Sequence, residues 1–363
     1  MLQCLIDSAQ LREPGNCLVA LGEFWQLDAR RIITDFSIAL VAQGISAICS
    51  VVTTLLIPKV LGIEEFGYWQ LFIFYIGYVG VFHFGLSDGV YLINGGISRS
   101  EIDKKDINSQ FWMISAAQTG IAVMIAAVAI FGSFGADRTF VLLATAAMIV
   151  VNNAALYWGY VCQAMNETRV FSFSVALESV LFLVPLSLLL VGGIQLFEPY
   201  ITAYVLAKAC RLAYCLIKCR DFLSAGIEPL KDILSSCRES IAVGIKLMIA
   251  NTTGSLIVGA IRFLVDANWG IEIFSSVSFS LSLVSFFLLF ISQASMVLFP
   301  SLRQAGIEEV SSFFQNARSV LACILPIAYV LYAPICWALG VWLPEYSDSL
   351  SLFALLLPLC VFD

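Results

Sequence analysis

The stretch KVLGIEEFGYWQ, residues 59–70, has an echo in RFLVDANWGIEI, residues 262–273. Aligned end to end, the two lie 203 residues apart. Lys59 then meets Arg262, Leu61 meets Leu264, Phe66 meets Trp269 and Gly67 meets Gly270. Each copy joins one long apolar run to the next. A membrane chain that repeats a multi-span unit is the common plan of transporters, which place their binding site between the repeats. The offset therefore sets the organisation expected of the whole sequence.

Composition agrees with a membrane setting. The chain is 60% hydrophobic and 12% charged, with a mean hydropathy of +0.92, whereas a soluble domain carries about 25% charged residues. Several uncharged stretches reach the roughly 20 residues that cross the hydrocarbon. They predict an all-α integral membrane protein with spans near 36–57, 67–90, 111–134, 139–163, 171–192, 199–218, 241–261, 273–299 and 319–340, and the start of a tenth near 349. Short links fit antiparallel neighbours packed in lipid. The exception is the polar stretch 219–240, with Asp221, Glu228, Pro229, Lys231, Asp232, Arg238 and Glu239.

Four parts are expected. Residues 1–30 form an N-terminal tail without a signal-peptide pattern. Residues 31–218 form a first six-helix bundle, 219–240 a cytoplasmic linker, and 241–363 a second bundle truncated in its fourth helix. An even number of spans per unit makes the two copies parallel, related by an axis along the membrane normal. Carried to its end, the offset expects roughly 60 further residues to complete the second unit. Basic residues set the sidedness. With the N-terminus in the cytoplasm, the outer links hold only Lys59, Arg138 and Arg262, Lys246 lies inside a span, and the other Lys and Arg fall inside.

The sequence gives an enzyme reading almost nothing to stand on. It has no GxxxxGK[ST] loop, no HExxH and no GxSxG, and a single histidine. No cofactor, metal or nucleic acid is expected. The spacing of Cys210, Cys215 and Cys219 is not that of zinc ligands, and the eleven cysteines read as small buried apolar residues.

Polar groups inside apolar spans are the functional candidates, because they are expensive there. Lys246 pairs with Gln43 at the offset; it is either a cation lining a cavity for an anionic phosphate or a lysine snorkelling to the headgroups. Asn251, Ser255, Gly259 and Arg262 form one helical stripe that ends at the outer mouth, with Lys59 as the counterpart of Arg262. The stripe reads either as ligand contacts or as close helix packing. Similar stripes are Gln43, Ser46, Ser50 and Thr53 in the first span and Ser275, Ser278, Ser282 and Ser285 in the eighth. Glu178 in the fifth span is a candidate for proton coupling or a structural ion pair. His83 and Asp88 near the inner end of the second span are further coupling candidates, Asp88 being also readable as interfacial. Asn152, Tyr160 and Gln163 share a face of the fourth span. Tyr68, Trp69, Tyr157, Trp158 and Trp342 read mostly as interfacial anchors.

The first block carries a resemblance. Gly44, the turn Pro58-x-x-Leu61-Gly62-x-x-x-Phe66-Gly67 and the run Phe84-Gly85-Leu86-Ser87-Asp88-Gly89 resemble the start of bacterial polysaccharide biosynthesis proteins. These are the O-antigen and capsule repeat-unit flippases of the multidrug/oligosaccharidyl-lipid/polysaccharide exporter superfamily. The resemblance implies two six-helix bundles in the bacterial inner membrane. It implies flipping of an undecaprenyl-pyrophosphate-linked oligosaccharide by alternating access, for O-antigen, capsule or exopolysaccharide synthesis. Membrane lipids are expected partners, with a polysaccharide polymerase and other assembly proteins as neighbours. The alternatives are a cation-coupled small-molecule exporter of the same superfamily, a membrane glycosyl polymerase or ligase, and a non-functional fragment of the flippase. The polymerase would need a large outer loop that this sequence lacks.

Overall fold

The computed structural model describes residues 41–304 and 332–356, with side chains apart from 257 and 286–304. The N-terminal tail, residues 319–331 of the expected ninth span and the end of the tenth lie outside the described residues. Every element among the described residues is helical. Helix α1 is Val41–Leu61. It is followed by α2 (Ile63–Ile76), a 3-10 turn (Val79–His83), α3 (Leu86–Ile93), α4 (Lys104–Phe131), α5 (Ala136–Ala164), α6 (Thr168–Val191), α7 (Glu198–Lys218) and the short α8 (Arg220–Leu223). The kinked α9 runs Leu230–Gln304, then come α10 (Tyr332–Trp342) and α11 (Ser347–Leu356). Among the described residues, five helices are long and apolar enough to cross a membrane, or up to seven if each bent pair is one span.

Local chemistry sets the boundaries. Asp103 caps α4 by accepting hydrogen bonds from the backbone N–H groups of Lys105 and Asp106 at 3.0 and 3.1 Å. Pro199 opens α7, where its missing N–H leaves no bond unmade. The stretch 219–240 is not wholly a linker: α9 starts at Leu230 and runs on into the expected seventh span.

The second expected span is broken rather than continuous. Phe84 and Gly85 take left-handed backbone angles, φ 51° and 79°, and the helices on either side differ by 55°. Exposed backbone is costly at such depth, so other groups must satisfy it. Asn153 of α5 donates to the Val79 carbonyl at 2.8 Å. Gln118 of α4 reaches the Phe82 carbonyl at 3.4 Å. The Gly85 N–H donates to His83 Nδ1 at 3.0 Å. Asn153, rather than Asn152, is the buried amide of α5.

The sequence echo has a local counterpart in the structure, but in a different register. Gly62 (φ 75°, ψ 175°) and Gly270 (φ 80°, ψ −179°) adopt the same conformation, and each starts a helix segment. They are 208 residues apart, and the sequences that follow agree: Gly62-Ile63-Glu64-x-Phe66 and Gly270-Ile271-Glu272-x-Phe274. The 203-residue register would ask Val265 to match Gly62, yet Val265 lies inside continuous helix. A positive φ with extended ψ is essentially open only to glycine, which decides between the two. The link expected at 262–273 is therefore helix up to Gly270. In the new register Gln43 matches Asn251 and Thr54 matches Arg262.

Two close crossings join α9 to the earlier helices. In the first, Gly85 and Gly89 of the broken span face Ser240 and Gly244. A Cβ on Gly89 would lie 1.8 Å from the Ser240 carbonyl oxygen, and one on Gly244 would lie 2.0 Å from that of Gly85. In the second, Gly67 of α2 faces Ile271 and Ser275. Around it pack Phe66, Phe279 and Tyr346, with ring centroids 4.8–5.9 Å apart. Trp69, Tyr157 and Trp158 are buried core residues, not interfacial anchors. Cys162, Cys215, Cys219 and Cys237 are buried as well.

Polar ties finish both ends. At one end Arg99 bonds Glu167 at 2.7 Å, Asp221 at 2.6 Å and the Lys218 carbonyl at 2.6 Å, while Lys104 reaches Asp221 at 2.8 Å. At the other, Arg138 grips Asp266 with both terminal nitrogens. Lys59 donates to the Trp342 carbonyl at 2.7 Å.

Gly89→Ala is expected to lower stability in detergent by about 1–3 kcal/mol, because two backbones must separate. Gly120→Ala in α4, where a Cβ meets open space, is expected to change it by no more than about 1 kcal/mol, as a gain. Thermal unfolding followed by size exclusion separates the two. The Arg99 hydrogen bond, helped by Lys104, holds the Asp221 carboxyl well below the usual carboxylate range. Its folded value is depressed, so its contribution is present above about pH 4 and is lost as pH falls through that value. The pair is partly exposed, so the effect is at most about 1 kcal/mol. Asp221→Asn should flatten the acid side of the stability profile between about pH 4 and 2 relative to the wild type.

Candidate functional site

A cavity of about 410 Å³ lies between α1, α2, α6, α7 and α9. Its α1 wall is Ser46, Cys49, Ser50, Thr53 and Thr54, which fall on one helical face. Across it stand Ser282 and Ser285 of α9. The hydroxyl protons are largely spent on the helices themselves. Ser50 donates to the Ser46 carbonyl at 3.2 Å, Thr53 to that of Ser50 at 2.9 Å, Ser282 to that of Ser278 at 2.8 Å and Ser285 to that of Leu281 at 3.0 Å. What these oxygens offer the cavity is lone pairs. The wall is rich in acceptors and suits a ligand that brings its own donors, such as a polyol.

Glu178 closes one side. It lies about ten residues into the 24-residue α6, near its middle. Its two carboxylate oxygens meet Lys208 Nζ at 2.7 Å and Arg211 Nη1 at 2.8 Å. The three side chains are 10–15% exposed, so solvent screens them little. They form a cluster of net charge +1, with Lys208 over the Tyr204 ring and Arg211 over the Phe171 ring. The isolated carboxylate that proton coupling would use is absent here; the structural ion pair is what forms. The signal was in the sequence. In an antiparallel hairpin folded at the 192–197 link, Glu178 and Arg211 come to similar depth, and Lys208 is one turn away from Arg211.

Arg262 is the cation of the cavity. Its Nε is buried and without a hydrogen-bond partner among the described residues. Its side chain lines this cavity and also a second one, of about 450 Å³, between α2 and α9. Rather than standing at an outer mouth, it lines both chambers, and the backbone around it stays helical up to Gly270. Thr54, which matches it at the 208-residue offset, lines the same cavity from α1. Asn251, Ser255 and Gly259 line the second chamber. Tyr78 lies on Gly259, where a Cβ would sit 1.8 Å from its Oη, and donates to the Ser255 carbonyl at 2.7 Å. The stripe is thus both a lining and a packing surface.

The other candidates fall elsewhere. Lys246 is exposed on α9 and lines neither chamber. Gln43 is half-buried on α1 and also outside both linings. Lys59 is exposed and committed to Trp342 at the end of the bundle. His83 and Asp88 are both buried, 3.7 Å apart, beside the glycine crossing. The Gly85 N–H points at His83 Nδ1, so the ring proton sits on Nε2, on the Asp88 side. This pair fastens the break in the second span. Reading the sequence alone misses Thr54, Tyr204, Lys208 and Arg211 as parts of the site.

Comparison with family models, with curated proteins and with solved structures finds no match to this chain.

Glu178→Gln leaves two buried cations facing each other and is expected to destabilise the fold by about 3–5 kcal/mol. Adding Lys208→Met to it removes the repulsion and should recover part of the loss. Thermal unfolding of the single and double variants measures both.

Proposed function

We propose that this chain is a flippase for an undecaprenyl-pyrophosphate-linked oligosaccharide in the bacterial inner membrane. The observation that carries the reading is the junction of an acceptor-lined cavity with the half-buried Arg262, whose Nε is buried and has no partner among the described residues. A sugar pyrophosphate needs such surroundings to pass about 30 Å of hydrocarbon. Its hydroxyls find acceptors on α1 and α9, and its phosphate finds a cation with planar, paired donors.

In this reading the helices of residues 41–218 form one half and α9 to α11 belong to the other, as parallel repeats with a cytoplasmic N-terminus. The shared turns at Gly62 and Gly270 support the repeat. The ties that join the halves, Arg138–Asp266 at one end and the Gly89–Ser240 crossing at the other, would open in turn to give alternating access. Lipids and the polymerase of the same assembly are its proposed partners.

The rival is a cation-coupled exporter of small molecules. It needs a carboxylate free to take the cation. The one acidic residue lining the cavity, Glu178, is held by two basic side chains, which favours the flippase.

A deletion strain should accumulate lipid-linked repeat units on the inner leaflet and lose its surface polysaccharide. Arg262→Gln supplied in trans is expected to restore less than a tenth of the polysaccharide, and Lys246→Gln close to all of it. A deletion strain with normal polysaccharide and no accumulated intermediate would rule the function out.

A further inference from the structure

The two chambers beside Arg262 differ in chemistry. The first, between α1, α6, α7 and α9, holds hydroxyl acceptors and the Glu178 cluster. The second, between α2 and α9, contains no acidic side chain among its lining residues. It offers donors instead: the Arg262 guanidinium with its unpartnered Nε, the Asn251 amide and the Ser255 hydroxyl. On the same wall Gly254 leaves its surroundings open, with nothing within 4 Å of an added Cβ. Ile73, Arg262 and Ser285 line both chambers, so the two adjoin at the guanidinium.

We infer that the second chamber is a distinct oxyanion station that takes a phosphate or pyrophosphate group on Arg262, Asn251 and Ser255. The hydroxyl-lined chamber then receives the uncharged part of the same ligand. A donor set without a carboxylate fits a phosphate, which accepts on every oxygen. The acceptor wall of the first chamber would repel it. Arg262 at the junction serves the anion from either side, which explains why its buried Nε has no partner among the described residues. Tyr78 bounds the station by resting on Gly259 and fixing α2 to α9 through Ser255. The inference deepens the flippase reading and rests on it for the uncharged part of the ligand; the anion station can be tested separately.

The probe is inorganic pyrophosphate, titrated by calorimetry into the full chain in phosphatidylcholine nanodiscs. Arg262→Gln should weaken binding at least tenfold, and Arg262→Lys less than that. Asn251→Leu, at an exposed position, should weaken it three- to tenfold. Ser50→Ala with Thr54→Val, in the other chamber, should leave it within twofold. Unchanged binding in Asn251→Leu, or an equal loss in the Ser50 and Thr54 variant, would overturn the station even if Arg262→Gln fails to fold. Nanodiscs containing phosphatidic acid identify the source of the phosphate. Competition with pyrophosphate assigns the station to a lipid headgroup; undiminished binding assigns it to a free phosphate. If pyrophosphate binds as expected while the deletion strain is normal, the station stands and the flippase reading falls. If the strain accumulates intermediates while the Asn251 variant binds normally, the reverse holds.

Discussion

The contact on which the rest depends is the crossing of Gly85 and Gly89 over Ser240 and Gly244. In lipid there is little hydrophobic force between helices, so close association relies on packing that small residues allow. Here the backbones approach until no side chain fits between them. That contact fixes where α9 starts its passage beside the earlier helices. Together with the second crossing at Gly67, it sets which face of α9 looks inward. Arg262 lies between the two crossings along the chain, and so it arrives in the cavity rather than at the rim.

The same glycine that permits the first crossing also breaks the second span. Gly85 is at once the left-handed residue of the bend and a member of the packed pair. The break exposes backbone groups that must be met inside the protein. This gives buried Asn153, Gln118 and His83 a structural purpose that their polarity alone would not reveal. Polar side chains deep in an apolar helix are functional suspects by default, yet these three serve the backbone.

Much of the architecture was legible in the sequence because the span signal is strong and local. The third to sixth spans were placed within a few residues of the observed helices, apart from the longer start of α4. What was not legible depended on backbone angles or on pairing in space. The echo was visible but misregistered: it matches Gly67 with Gly270, whereas Gly62 is the glycine that shares its positive φ. The five-residue correction moves Lys246 away from Gln43 and brings Thr54 opposite Arg262. Glu178 looked solitary because its partners lie on the next helix. Trp69, Tyr157 and Trp158 looked interfacial because they lie near span ends, whereas packing between helices buries them. Arg262 was singled out for a place at the outer mouth, whereas it lines the two interior chambers.

The spent hydroxyl protons of α1 and α9 have one more consequence. Each of these oxygens is fixed by its own helix bond, so it is met only by a donor at the right distance and angle. Turning one hydroxyl of a polyol from equatorial to axial moves that donor off its acceptor. The wall therefore reads where donors stand, while Trp69, Phe182 and Tyr204 read the outline. A ligand fits when it keeps both, and loses when either changes.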